Sequence, residues 1–357
     1  MITVALINIL TVTLAYLARK KYVENALKAA FMVIFLFLAL RYEYGNDYLA
    51  YLDIFNDVNT DTSFSIFDES SRYELGWVVL CRLFDPLGFF AMIAALALIN
   101  CVVYYRFVKK YVVPQYYWLA VFLYVFSPGF MLTHATAMRQ SLALIMFIVS
   151  LDYLFKKDII RYALCISLAA LFHTSALILF PVYFLGLVNW KINNISIIGI
   201  FAFLLFLLFF GSRYISEVNQ FISTYFDKYA IYQKGSEIGS GIGMMFSLCL
   251  LLLILYYDRY QMKETALLFK IAILGYFIIP FALMISALGR IGMYFQVVTI
   301  AVFPYVIGSI KNILVKNTVL ALIIFITLYE FYVFFQSEIY SEAFGTYLTI
   351  FSAPQLY

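Results

Sequence analysis

The chain is a succession of long apolar runs joined by short polar links, and stretches such as 197–210 and 319–327 carry no charged residue at all. An apolar run of about 20 residues crosses the hydrocarbon core as a helix, because a helix satisfies its own backbone hydrogen bonds. Membrane β-strands would instead show short segments of alternating polarity, a pattern this chain lacks. Membrane segments are therefore predicted at 2–18, 26–40, 86–105, 116–131, 138–155, 162–185, 194–212, 241–257, 266–287, 291–310 and 317–335. The fold class that follows is all-α, a polytopic transmembrane helical bundle of about eleven membrane segments. Residues 72–85 mix aromatic, aliphatic and charged positions (Tyr73, Leu75, Trp77, Val78, Arg82, Phe84), which predicts a short amphipathic helix lying in the outer interface. The first run has neither a basic residue before it nor a small-residue cleavage site, so it reads as a retained helix.

Composition agrees with that pattern. Hydrophobic residues make up 65% of the 357 and charged residues 12%, and mean hydropathy is +0.93, whereas a soluble domain carries roughly 25% charge. No soluble domain, internal repeat or low-complexity tract is visible, so the expectation is a single integral membrane domain over 1–357. Cys81, Cys101, Cys165 and Cys249 lie in apolar surroundings without CxxC spacing and read as small core residues. With two histidines and no cysteine pair, no transition-metal site is expected. Gly235, Gly239, Gly241 and Gly243 follow no strand and precede no Lys-Ser/Thr, so they read as a flexible approach to the next helix rather than a nucleotide loop. Nothing points to nucleic acid.

Basic residues favour the cytoplasmic side. Clusters at Arg19–Lys21 with Lys28, Arg106 with Lys109 and Lys110, Lys156 and Lys157 with Arg161, Arg259 with Lys263, and Lys311 with Lys316 put the N-terminus outside. They also put the acidic segment 41–74 outside, with Glu43, Asp47, Asp53, Asp57, Asp61, Asp68, Glu69 and Glu74. Simple alternation then fails once: two crossings between Arg161 and Arg213, followed by 241–257, would leave Arg259 and Lys263 outside. Either one basic loop breaks the rule, or segment 162–188 is a broken or re-entrant pair of half-helices around His173-Thr174-Ser175 and Pro181, with Lys191 inside.

Charge at membrane depth costs ~2.5–3.5 kcal/mol on insertion scales and asks for a reason. Arg41, Arg139 and Arg290 converge on the outer boundary from distant parts of the chain, Arg290 apparently in a link between two helices. Guanidinium forks suit phosphate oxygens, while separate snorkelling arginines are the plainer alternative. His173 is either a hydrogen-bonded core histidine or a catalyst, and His134 raises the same question beside Arg139. Glu330 is a neutral or paired acid, or a general base. Tyr42, Tyr44, Tyr48 and Tyr51 are candidates for stacking on sugar rings or for an interfacial belt.

Arg41-Tyr42-Glu43-Tyr44-Gly45-Asn46-Asp47-Tyr48-Leu49-Ala50-Tyr51 resembles the R-x-x-x-G-x-D-Y-x-x-Y signature of EpsG-like proteins, a branch of the Wzy-type polysaccharide polymerases. Glu74-Leu75-Gly76-Trp77, Arg139-Gln140-Ser141-Leu142-Ala143 and Phe172-His173-Thr174-Ser175-Ala176 resemble three further family motifs in the same order. Asn46 stands where threonine is commoner, and the likeness is carried mainly by residues 30–185. The resemblance implies a glycosyltransferase that joins polyprenyl-diphosphate-linked oligosaccharide repeat units into surface polysaccharide at the outer face of the bacterial inner membrane. It implies no nucleotide sugar, cofactor or metal, and it suggests a chain-length regulator protein as a partner. Arg139 and Arg290, with Arg41 third, are the expected diphosphate clamps. Asp47 and His173 are the two candidates for general base, and Tyr44, Gly45, Tyr48, Glu74, Gln140, Ser175 and Tyr294 are supporting residues. The rival readings are a flippase for the same lipid, a sugar acyltransferase and a glycan ligase; a flippase would show paired halves, which this sequence lacks.

Overall fold

The computed structural model describes residues 1–19, 25–60, 73–188, 192–211, 217, 241–258, 265–282 and 286–352. Lys20, Lys21, Asp61, Asp68, Glu69, Lys191, Arg213, Gly235, Gly239, Arg259 and Lys263, all used above, lie outside the described residues.

The described chain is helical almost throughout. Its elements in order are α1 (Ile2–Leu17), α2 (Ala26–Ala39), β1 (Arg41–Tyr42), α3 (Tyr48–Thr60), α4 (Leu75–Phe84), α5 (Phe89–Tyr111), α6 (Tyr117–Phe126), α7 (Met131–Thr136), α8 (Met138–Phe155) and α9 (Ile159–Phe172). After a tight helical segment at Thr174–Leu179 come α10 (Val182–Leu185), α11 (Asn194–Gly211), α12 (Ile242–Asp258), α13 (Ala266–Ala282), α14 (Ser286–Gln296), α15 (Thr299–Ser309), α16 (Ile313–Gln336), α17 (Glu338–Ala343) and β2 (Leu348–Thr349). Among the described residues, α5, α8 and α16 are each long and apolar enough to cross a bilayer, and the pair Leu288–Gln296 and Thr299–Ser309, bent by 50°, is a fourth span if taken as one. Ile2–Leu17, Ala26–Ala39, Ile159–Phe172, Asn194–Phe210, Ile242–Asp258 and Ala266–Ala282 are shorter apolar stretches of 10–17 residues.

Two compact units are present: residues 1–180 with 320–357, and residues 181–319. In the first, α1 packs on α2 and α6, α2 on α5, α5 on α8, α8 on α9, and α4 on α3 and α9. Two buried asparagines link helices in this apolar setting. Asn8 donates to the Val125 carbonyl at 2.8 Å, joining α1 to α6, and Asn100 donates to the Tyr124 hydroxyl at 2.6 Å, joining α5 to α6. Lys110 at the end of α5 pairs with Asp152 near the end of α8. In the second unit α13 is the centre, packed against α10, α11, α12, α14 and α15. Lys270, within α13, donates to the carbonyls of Leu185 (3.0 Å) and Val188, groups left without helical partners after α10.

The turn from α8 into α9 is written in three residues. Lys156 closes α8, Lys157 takes a left-handed backbone (φ 57), and Asp158 caps α9 by accepting from the Arg161 N–H at 3.1 Å. Helix α9 stops at His173, whose backbone is extended (φ −155, ψ 111). The chain then doubles back along α9, and the Tyr162 hydroxyl in the first turn donates to the Leu179 carbonyl at 2.6 Å. The break predicted around His173 is present, followed by a run of Thr, Ser and then Pro181 that disfavours a continued helix.

Three expectations differ from the structure. Arg290 does not lie in an interhelical link: it is inside α14, and the bend follows at residues 297–298. Gly289 and Gly292 lie within the same helix, and glycine is frequent inside membrane helices. The outer-segment tyrosines are not sugar platforms. Tyr42, Tyr44, Tyr48 and Tyr51 are all at most 4% exposed. Cys249, read as a core residue, is exposed, whereas Cys81 and Cys101 are buried.

The C-terminal segment covers Tyr42 and Tyr44, while Tyr48 packs on Phe89 and Tyr51 on Trp77. β1 pairs antiparallel with β2, Arg41 opposite Thr349 and Tyr42 opposite Leu348. The Gly45 N–H donates to the Ala343 carbonyl at 3.1 Å, and the Tyr347 hydroxyl to the Phe37 carbonyl at 2.7 Å. Tyr44 fits edge-on between Phe344 and Tyr347, with ring centroids 4.9 and 5.1 Å away.

Candidate functional site

Four motifs separated in sequence meet in the first unit. Glu74 precedes α4 as its N-terminal flanking residue, with extended backbone (φ −66, ψ 137). Its Oε2 accepts a charge-assisted hydrogen bond from the Arg139 guanidinium, at the second position of α8. Its Oε1 lies 3.7 Å from Nδ1 of His173, at the end of α9, beyond hydrogen-bond distance. Tyr51, the last residue of the signature, stands under Arg139 with its ring centroid 5.7 Å from the guanidinium carbon. Tyr51 is held in turn against Trp77 on α4, ring centroids 4.9 Å apart.

Packing fixes this meeting point. α4 buries Trp77, Val78 and Cys81 and leaves Leu75, Val79 and Leu83 exposed, so both faces are apolar, as suits a helix lying in an interface. Gly76 lets α4 approach α9 closely. A Cβ there would stand 2.8 Å from the Leu171 carbonyl oxygen and 3.0 Å from its carbon. Gly76→Ala is expected to push α4 off α9, at about 1–3 kcal/mol of stability, and to part Glu74 from His173. Thermal unfolding of the purified variant measures the first effect, and loss of polymer measures the second.

The three polar side chains are mostly covered but not sealed, with exposures of 16% for Glu74, 27% for Arg139 and 14% for His173. Burial raises the Glu74 carboxyl, but His173 and the Arg139 charge pull it down further, and the net position is below the usual carboxylate range. Glu74 is therefore ionised at neutral pH. Neither ring nitrogen of His173 has a hydrogen bond among the described residues, and both are buried. Glu74 faces Nδ1, so a tautomer with its proton on Nδ1 is the one that would present Nε2 as an acceptor. The site can thus hold an anion at Arg139 and take a proton at His173.

The other sequence-derived candidates fall into place around it. Asp47 is half-buried just before α3, one turn from Tyr51, whose N–H donates to the Asp47 carbonyl at 3.0 Å. Gln140 is buried next to Arg139, and Ser175 is half-buried two residues beyond His173. Arg41 is fully buried, and donates to the carbonyls of Leu38 and His134 (3.4 Å) and to the Met138 sulfur (3.5 Å). It ties the end of α2 to α7 and α8, and geometry takes it out of the clamp. Burial lowers its guanidinium to about 10, so it stays charged. The Tyr48 hydroxyl donates to the Arg41 carbonyl at 3.3 Å. His134 is buried, with Nδ1 3.1 Å from the Ser141 hydroxyl, and burial and nearby Arg41 push it well below the usual histidine range. Gly45 has φ +120, and a Cβ there would stand 2.2 Å from the Ala135 carbonyl oxygen. Most of the signature is therefore a folding code, and only Asp47 and Tyr51 reach towards the site. Arg290 and Tyr294 lie one turn apart on α14 in the second unit, with Tyr294 fully buried.

The sequence left Tyr51 open between a sugar platform and an interfacial belt, and assigned it no role beneath Arg139. Its spacing of four from Asp47 and its place at the end of the signature were the available signals. No curated protein and no solved structure matches the chain. A family model does, over residues 26–349, which takes in all four motifs, and the chain belongs to the EpsG family.

Proposed function

We propose that the chain is a Wzy-type polymerase that joins polyprenyl-diphosphate-linked oligosaccharide repeat units into surface polysaccharide. Membership of the EpsG family supports a Wzy-like polysaccharide polymerase at family level and implies a lipid-linked oligosaccharide substrate in a membrane. The observation that carries the residue-level reading is the convergence of Arg139, Glu74 and His173. A hydroxyl of the acceptor unit attacks the anomeric carbon of the growing chain. The bond from that carbon to the diphosphate oxygen breaks, its electron pair leaves on the diphosphate, and the hydroxyl proton passes to a base. Arg139 stabilises the charge that develops on the leaving diphosphate. His173 is the better placed base, because Glu74 can orient it and stabilise its imidazolium form; Asp47 becomes a supporting residue. Arg290 keeps its sequence-based assignment to diphosphate binding.

The inner membrane of a bacterium, with the site outside, is part of the same proposal. The hairpin at His173 and the contact of Lys270 with Leu185 and Val188 support it. Lys270 follows the Arg259–Lys263 cluster by seven residues from Lys263, so residues 185–188 belong to the basic, inner side, and the charge rule balances. A cysteine introduced at position 191 is expected to react with a permeant maleimide only; labelling by an impermeant one in intact cells would overturn this topology. The function itself is tested by deletion. Loss of long surface polysaccharide with single repeat units building up on lipid is expected, and unchanged chain length would refute it.

A further inference from the structure

Among the described residues, Glu74 touches both halves of the site. One carboxylate oxygen takes the Arg139 guanidinium, and the other faces His173 Nδ1 across 3.7 Å, too far for a hydrogen bond and near enough for a small side-chain rotation to make one. Charged and titratable groups reach Glu74 from α8 (Arg139) and from the end of α9 (His173), with Tyr51 from α3 behind Arg139 and Asp47 coupled to Tyr51. A diphosphate at Arg139 would meet the Glu74 carboxylate as a like charge, and the low-dielectric surroundings of a mostly buried site strengthen that repulsion.

We propose that Glu74 is a positioning residue shared between clamp and base: diphosphate bound at Arg139 displaces the carboxylate, which closes onto Nδ1 of His173 and readies Nε2 to accept the acceptor's proton. Base activation is thereby coupled to occupancy of the leaving-group site. The acceptor hydroxyl is not deprotonated until a diphosphate-linked donor is in place. The coupling rests on the polymerase reading for its purpose, but its first half, competition for Arg139, concerns binding alone.

The variant Glu74→Gln is nearly isosteric and removes the competing charge. Purified into nanodiscs, it is expected to bind a sugar-free polyprenyl diphosphate at least about fivefold more tightly than the wild type. Its turnover of lipid-linked repeat units is expected to fall by about 10²-fold or more. In an Arg139→Ala background the same change should no longer tighten binding. A merely structural ion pair gives the opposite result, weaker or unchanged binding in Glu74→Gln, and that result overturns the proposal. If Glu74→Gln does not fold, the wild-type protein decides. The chain has two histidines, so isotope-labelled histidine gives two sets of ring signals, and the set lost in His173→Gln belongs to His173. Adding polyprenyl diphosphate should shift it towards the tautomer protonated at Nδ1, and an unchanged tautomer distribution overturns the coupling. A wild type that binds the lipid but makes no polymer refutes the polymerase reading, and the binding measurements still judge the competition.

Discussion

Arg139→Ala is expected to abolish long-chain polymer, lowering turnover about 10³-fold, while the protein still inserts and folds. The side chain is 27% exposed and its main partner is the Glu74 carboxylate, so its loss leaves no cavity in the core. What disappears is the fork of N–H donors aimed at the leaving group. Arg139→Lys keeps the charge and loses the fork, and should recover part of the activity. The same substitution at Arg41 should behave differently. Arg41 is fully buried and bonded to two backbone carbonyls, so Arg41→Ala should lower the amount of folded protein before chemistry is ever tested. Polymer length by gel and folded yield by size exclusion separate the two. A fully active Arg139→Ala would remove the arginine from the mechanism.

Gly45→Ala carries the largest expected effect on stability, about 3 kcal/mol or more. Two independent constraints act there. A φ of +120 is a conformation that L side chains rarely adopt, and the added methyl would fall 2.2 Å from the Ala135 carbonyl oxygen. Backbone on one side and backbone on the other leave no flexible side chain to yield. Relief requires moving the signature loop off α7, which also disturbs the Gly45–Ala343 hydrogen bond and the seal formed by β2. Thermal unfolding in detergent measures it, and a midpoint within a degree or two of the wild type would contradict the geometry.

The helices were legible because an unbroken apolar run has few alternatives in a membrane. An interruption near His173 was one of two readings that charge allowed, the other being a single basic loop on the wrong side, and His173-Thr174-Ser175 with Pro181 marked its place. Convergence of Glu74, Arg139 and His173 was not. The residues of the ion pair are 65 positions apart, and their meeting depends on α4 lying against α9 through a bare glycine, a contact that hydropathy does not encode. The tyrosines misled for a similar reason. An aromatic in a polar segment suits either solvent or a small core, and the cover that decides it, Phe344 to Thr349, arrives about 300 residues later in the chain, as in the Tyr347–Phe37 bond with its separation of 310. Arg41 looked like Arg139 in sequence because both stand at a helix boundary, and only burial tells the anchor from the clamp.

Transfer of a glycan from one lipid diphosphate to another at the Arg139–Glu74–His173 site can be followed in a purified system. The most direct measurement reconstitutes the purified protein in liposomes with lipid-linked repeat units as both donor and acceptor. The expected result is a ladder of longer lipid-linked glycans with an equivalent release of polyprenyl diphosphate, absent in Arg139→Ala. Movement of the repeat units across the bilayer with no longer product and no released polyprenyl diphosphate would contradict it.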